Sequence, residues 1–96
     1  ACTGMGEIAT RSGLVRAVVA YLQMGQSVEE AARTAMADLS YLRDFTKGIT
    51  LYAIDNRGQH FVSSLFTKDY APPHYYAALP GEDLPTRRES VNLELN

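Results

Sequence analysis

The chain has 96 residues, of which 46% are apolar and 21% charged, with a formal net charge of −2. That apolar share supports a core and excludes a disordered tail, and the mixed charge leaves no basic footprint for nucleic acid. No apolar run approaches the roughly 20 residues a helix needs to cross a bilayer. Cys2 is the only cysteine, which excludes an internal disulfide and a cysteine-rich metal site.

The opening Ala1-Cys2-Thr3-Gly4 is neither an initiator methionine nor a signal peptide, and the expectation is that more of the protein precedes it. Gly4 and Gly6 bracket Met5 and lead into a helix predicted over residues 7–24. Glu7 in its first turn complements the positive end of the helix dipole. Leu14, Val15, Val18, Val19 and Leu22 recur at helical spacing as one apolar stripe. Gly13 is the weak point, costing ~1 kcal/mol against alanine. Gly25 stands where a left-handed C-terminal residue belongs.

A second helix is predicted over residues 28–42. Ser27 and Glu30 have capping-box spacing, and Val28, Ala31, Ala32, Ala35, Met36 and Leu39 mark its buried face. The short Gly25-Gln26 link makes the two helices antiparallel neighbours.

After Lys47-Gly48 the period changes. Residues 49–54 are β-rich with both faces largely apolar, which predicts a central strand. Asp55-Asn56-Arg57-Gly58 is turn chemistry, and residues 60–66 return as the second strand of a hairpin. Asp69 to Pro73 read as a loop, residues 74–79 as a third, peripheral strand, and residues 80–96 as a polar closing tail. The fold class is α+β, a helix pair followed by antiparallel strands. Two helices cover one sheet face, and the sequence offers nothing obvious for the other.

The individual polar residues have plain structural readings. Cys2 reads as a small buried apolar residue. Arg11 reads as an ion-pair partner of Glu7 four residues earlier. His60 and His74 lack metal-ligand spacing and read as strand residues, Tyr75 and Tyr76 as alternating in and out, and Asp44, Asp55 and Asp69 as turn residues.

Two stretches together carry a family resemblance. Thr3-Gly4-Met5-Gly6-Glu7, Arg11, the Leu14–Leu22 stripe, Gly25 and the capped alanine-rich helix form the first. Gly48-Ile49-Thr50-Leu51-Tyr52-Ala53-Ile54-Asp55-Asn56-Arg57-Gly58 forms the second. In this order they resemble the late part of the β-subunit in the glycosylasparaginase and plant-type asparaginase (isoaspartyl peptidase) family of N-terminal-nucleophile hydrolases. The resemblance covers residues 3–79, and the extended tail is more similar to the glycosylasparaginase branch.

The resemblance implies a segment of a four-layer αββα domain, made as a precursor that cleaves itself to expose a threonine nucleophile. It implies hydrolysis of the side-chain amide of asparagine derivatives, of the N4-(β-N-acetylglucosaminyl)-L-asparaginase type. The alternatives are an isoaspartyl peptidase or L-asparaginase of the same family, or a noncatalytic interaction module on the same scaffold. Thr3 and Gly4 match the family's oxyanion-hole pair, and Gly4 and Gly6 its approach to substrate. In the family the nucleophile lies upstream of this stretch. Thr3 cannot replace it, since its nitrogen is tied up in the Cys2–Thr3 peptide bond, and the expectation is that this chain alone is inactive. Implied partners are the α-subunit and N-terminal part of the β-subunit of the same precursor, a second αβ unit in a dimer, and a small asparagine-derived substrate. Neither nucleic acid nor membrane is implied as a partner, and neither cofactor nor metal is implied.

Overall fold

The computed structural model describes residues 1–42, 48–65 and 73–93. Asp44, Asp69 and Phe66, for which the sequence predicts turn and strand roles, lie outside the described residues.

The first predicted helix is two helices. Strand β1 (Cys2–Thr3) runs through Gly4 and Met5 into α1 (Gly6–Ser12), and α2 (Leu14–Gln23) begins after Gly13. Gly13 has φ 64°, and its N–H bonds the carbonyls of Ala9 and Thr10, closing α1. Lacking a Cβ, glycine reaches this left-handed conformation without steric cost, so a tolerated weak point becomes a break. Each segment then buries its own residues: Ile8 from α1, Leu14 and Val18 from α2. Val15 and Val19, expected in the buried stripe, remain on the surface.

Helix α3 (Val28–Ala37) carries the capping box its sequence predicts. The Glu30 N–H donates to Ser27 Oγ at 3.2 Å and the Ser27 N–H to Glu30 Oε2 at 3.1 Å. The buried face is Val28, Ala31, Ala32, Ala35 and Met36, so the small alanines let α3 lie close to its neighbours. The predicted helix over 28–42 does not stay α-helical to its end. Asp38–Leu42 tightens into a 3-10 turn that buries Leu39 and Leu42, whose three-residue spacing suits that period.

Gly25, at φ 95°, turns the chain between α2 and α3. Across that turn the Tyr21 hydroxyl donates to Asp38 Oδ2 at 2.5 Å. The hydrogen bond to a carboxylate holds the phenol above its ordinary pKa.

The predicted hairpin forms over its described residues. β2 (Ile49–Ile54) and β3 (His60–Leu65) pair antiparallel from Ile49↔Leu65 to Ile54↔His60. Asp55 Oδ1 holds the turn by accepting from the Arg57 and Gln59 N–H groups, both at 2.9 Å. β1 pairs antiparallel with the outer side of β2, which makes β2 the central strand the apolar run predicts. α3 packs on β2 and β3, and α2 packs on α3.

The tail is more ordered than its polarity suggests. β4 (His74–Ala77) pairs antiparallel with β5 (Thr86–Glu89), and β6 (Val91–Asn92) adds to β3 in parallel. The third predicted strand therefore stops at Ala77, and the polar segment supplies two strands. The prediction that the chain holds nothing for the second sheet face is corrected in part. Antiparallel partners share a face, so Ile54, His60, Tyr52, Val62, Thr50 and Ser64 all lie opposite the helices. Over that face His60 Nε2 meets the Tyr75 hydroxyl at 3.2 Å, and Ser64 Oγ bonds Ser90 Oγ at 2.9 Å in a buried contact. Tyr75 is half-buried and Tyr76 exposed, as strand alternation predicts. The cover is incomplete: Ile54 keeps 68% and Tyr76 69% of its surface in water. Between them opens an apolar groove of about 370 Å³.

Candidate functional site at the β1 corner

Thr3, Gly4 and Gly6 fall at one corner, where β1 leaves the sheet and α1 begins. The ladder fixes how their polar groups point. Ala1 and Tyr52 exchange both backbone bonds, at 2.8 and 2.9 Å. Two residues on, by the alternation of antiparallel ladders, Thr3 and Thr50 form the next bonded pair, in agreement with their register. The Thr3 carbonyl therefore points at β2. Peptide bonds here are trans, and a trans peptide sets its N–H opposite its C=O. The Gly4 N–H consequently points away from β2, past the open edge of the sheet. Among the described residues no hydrogen bond engages it.

The Thr3 side chain shares a face with Thr50 and, one strand further, with Ser64, on the side away from the helices. It is exposed, and no described group bonds its hydroxyl. Among the described residues, two neighbouring donors, a hydroxyl and a backbone N–H, thus stand unengaged at one sheet corner. Cys2 alternates to the opposite face, where it packs against the core and is half-buried. It is a packing residue, less covered than the sequence predicts.

Gly4 has φ 107°, a conformation L side chains rarely adopt. A Cβ there would fall on the carbonyl oxygen of Gly48, 3.0 Å from the Gly48 carbonyl carbon and 3.1 Å from Ile49 Cα. The space a side chain needs at Gly4 is thus filled by the protein's own backbone. The requirement for glycine is met inside the fold, whatever approaches from outside. Gly6 differs, since it begins α1 and has nothing within 4 Å of its Cβ position, so its surroundings are open.

The remaining candidates take structural places. Arg11 is exposed in the last turn of α1, and among the described residues no ion pair joins it to Glu7, which corrects the pairing the sequence predicts. His74 lies on β4 at 3.5 Å from Glu89 Oε1, its cross-strand partner, and His60 sits on β3 against Tyr75. Among the described residues no three His, Cys, Asp or Glu side chains gather in a metal-binding group, and no helix is long and apolar enough to cross a membrane. Gly48 is a member of this corner that the sequence marks only as a strand boundary and the first residue of the second resembling stretch. Its signal was a glycine immediately before a β-rich run, which alone does not say what it touches. Comparison with known protein families, curated proteins and solved structures finds no match for the chain.

Proposed function

We propose that this chain is a segment of an N-terminal-nucleophile amidohydrolase of the asparaginase type, in which Thr3 and Gly4 supply the oxyanion hole. The observation that carries the reading is the pair of adjacent donors at the β1 corner that no described group engages: the exposed Thr3 hydroxyl and the outward Gly4 N–H. A backbone N–H held in place by the ladder stabilises a tetrahedral oxyanion because it needs no reorganisation when the charge develops, and a neighbouring hydroxyl adds a second donor. The α+β layering, with a helix pair on one sheet face and a partly open second face, is compatible with one half of an αββα stack.

In this reading the nucleophile is a threonine at the start of the β-subunit, on a preceding segment of the precursor. Its hydroxyl attacks the side-chain amide carbon of an N-glycosylated asparagine. Its own α-amine, with a reference pKa near ~8, takes the hydroxyl proton and passes it to the leaving amine. The C–N bond breaks, an ester joins the aspartyl group to the threonine, and water then releases aspartate. Thr3 and Gly4 hold the oxygen that bears negative charge in each tetrahedral intermediate. The companion segments of the precursor cover Ile54, Tyr52 and Tyr76, and two αβ units form the dimer.

The test is Thr3→Val in the full, self-cleaved protein. It keeps the side chain's shape and removes the donor, so kcat should fall roughly 10²- to 10³-fold with a smaller change in KM. Thr3→Ser keeps a hydroxyl and should retain most activity. Turnover of fully cleaved Thr3→Val at the unsubstituted rate would sink the assignment.

A further inference from the structure

We infer that Gly48 is a positioning residue for the oxyanion donors: its carbonyl is the surface on which Gly4 rests, and its left-handed backbone holds that carbonyl where it steadies the Gly4 N–H in the direction the ladder gives it. The inference rests on the oxyanion reading of Thr3 and Gly4 and extends it to a residue 44 positions away in sequence.

Three observations converge on the contact. Gly4 lies so close to the Gly48–Ile49 peptide that no Cβ fits between them. Gly48 itself has φ 73°. Its N–H donates to the Leu65 carbonyl at 2.8 Å, tying the residue to the end of β3. The peptide leading out of Gly48 is therefore oriented by a left-handed residue held on one side by the hairpin. Gly4 is held from three directions: Thr3 by its pair with Thr50, the Gly48 carbonyl beneath it, and the start of α1 beyond Met5.

The chain needs such a support because the Gly4 N–H belongs to the last peptide of an edge strand. Only the Thr3 carbonyl side of that peptide is bonded within the sheet. A single bond fixes a position and leaves rotation about it soft. Contact of the Gly4 backbone with a rigid carbonyl removes that freedom. Glycine is needed on both sides, at Gly4 to let the backbones meet and at Gly48 to hold φ positive.

A residue at position 48 that disfavours positive φ will turn the Gly48–Ile49 peptide and withdraw the support. Asparagine enters the left-handed region more readily than other non-glycine residues, serine less so and alanine less still. The experiment places Gly48→Asn, Gly48→Ser and Gly48→Ala in the full, self-cleaved protein, with Thr3→Val alongside. Thermal midpoint, kcat and KM are measured on the cleaved, folded fraction. The expected result is a graded fall in kcat in the order Gly, Asn, Ser, Ala, with KM changing less. Gly48→Ala should lose about tenfold to a hundredfold, the scale of a displacement near 1 Å at a reacting centre. Gly48→Asn should recover most of that loss.

Any two of the three variants that fold suffice to read the order. A kcat that stays level across the folded variants while the thermal midpoint falls would make Gly48 a turn residue only, and would overturn the inference. So would a change confined to KM. If Thr3→Val is also unaffected, the oxyanion reading itself has failed; if Thr3→Val falls and the Gly48 series stays level, only the positioning role has.

Discussion

The two faces of the four-stranded sheet obey different rules. Against the helices lie Ile49, Leu51, Ala53 and Leu65, all buried beneath α3, and the buried polar Ser63, whose hydroxyl has no partner among the described residues. On the other face the same strands present Thr3, Thr50 and Ser64 at one end, and Tyr52, Ile54, Val62 and His60 at the other. The first face is covered from within the chain, its apolar side chains packed against α3 in one core. The second is divided. Its hydroxyl row runs from the exposed Thr3 to the buried Ser64–Ser90 bond, while its apolar end leaves Ile54 and Tyr76 in water. Stability is concentrated on one face, and the proposed chemistry and contacts with the rest of the precursor on the other.

The sharpest way to break this division is to damage the stable face and look for a catalytic effect. Leu51 is almost fully buried and lies beside the Thr3–Thr50 pair, one residue away on the opposite face. Leu51→Ala in the full protein should cost about 2–5 kcal/mol by lost burial and the cavity left behind. Turnover per folded molecule should change little, because the Thr3–Thr50 bonds belong to the backbone. Stability is read by denaturant unfolding and turnover on the folded fraction. A loss of kcat comparable to that of Thr3→Val would show that the two faces are not separable.

A milder change probes the open face. With 68% of Ile54 exposed, the chain's own contacts give it little to lose, and Ile54→Thr keeps its β-branch. Uncovered, the substitution should fall within about 0.5 kcal/mol of neutral. Covered by a companion segment, as proposed, it should cost about 1–2 kcal/mol, for the lost apolar burial and the hydroxyl placed under cover. Denaturant unfolding of the full protein decides between these values. The small one would leave the proposed partner without its contact surface.

The sequence discloses what is local. Ser27 and Glu30 are three residues apart, and their mutual bonds need no other part of the chain, so the cap is legible without a structure. The β2–β3 hairpin is equally local, since Asp55 holds its own turn. What the sequence hides depends on distance. Thr86–Arg87–Arg88–Glu89 has no apolar alternation, and it becomes a strand because β4 offers a partner edge. Gly13 reads as a weak helical residue, and only the separate burial of Ile8 and Leu14 explains why the helix breaks there. At the candidate site, Thr3 and Gly4 were legible as a motif. The contact between Gly4 and Gly48 was not, because each glycine alone has several ordinary explanations and only their meeting selects one.

The smallest expected effect concerns Ser27, which stands at the start of the helix that defines the stable face. Its Oγ accepts the Glu30 N–H, and the Glu30 carboxylate in turn accepts the Ser27 N–H, so the two side chains each engage one otherwise unsatisfied donor. Ser27→Ala removes the first bond directly and loosens the second, at a cost of about 1 kcal/mol. Ser27→Asp should recover most of it, since a carboxylate also caps and complements the helix dipole, though Glu29 and Glu30 crowd that end with negative charge. Neither variant should alter kcat or KM, because α3 lies on the helix side of the sheet and Thr3 points from the opposite side. Stability and, on the proposed function, turnover are measured on the full protein by denaturant unfolding and steady-state kinetics. A large fall in turnover with unchanged stability would place the start of α3 inside the site and put the chemistry on the wrong face.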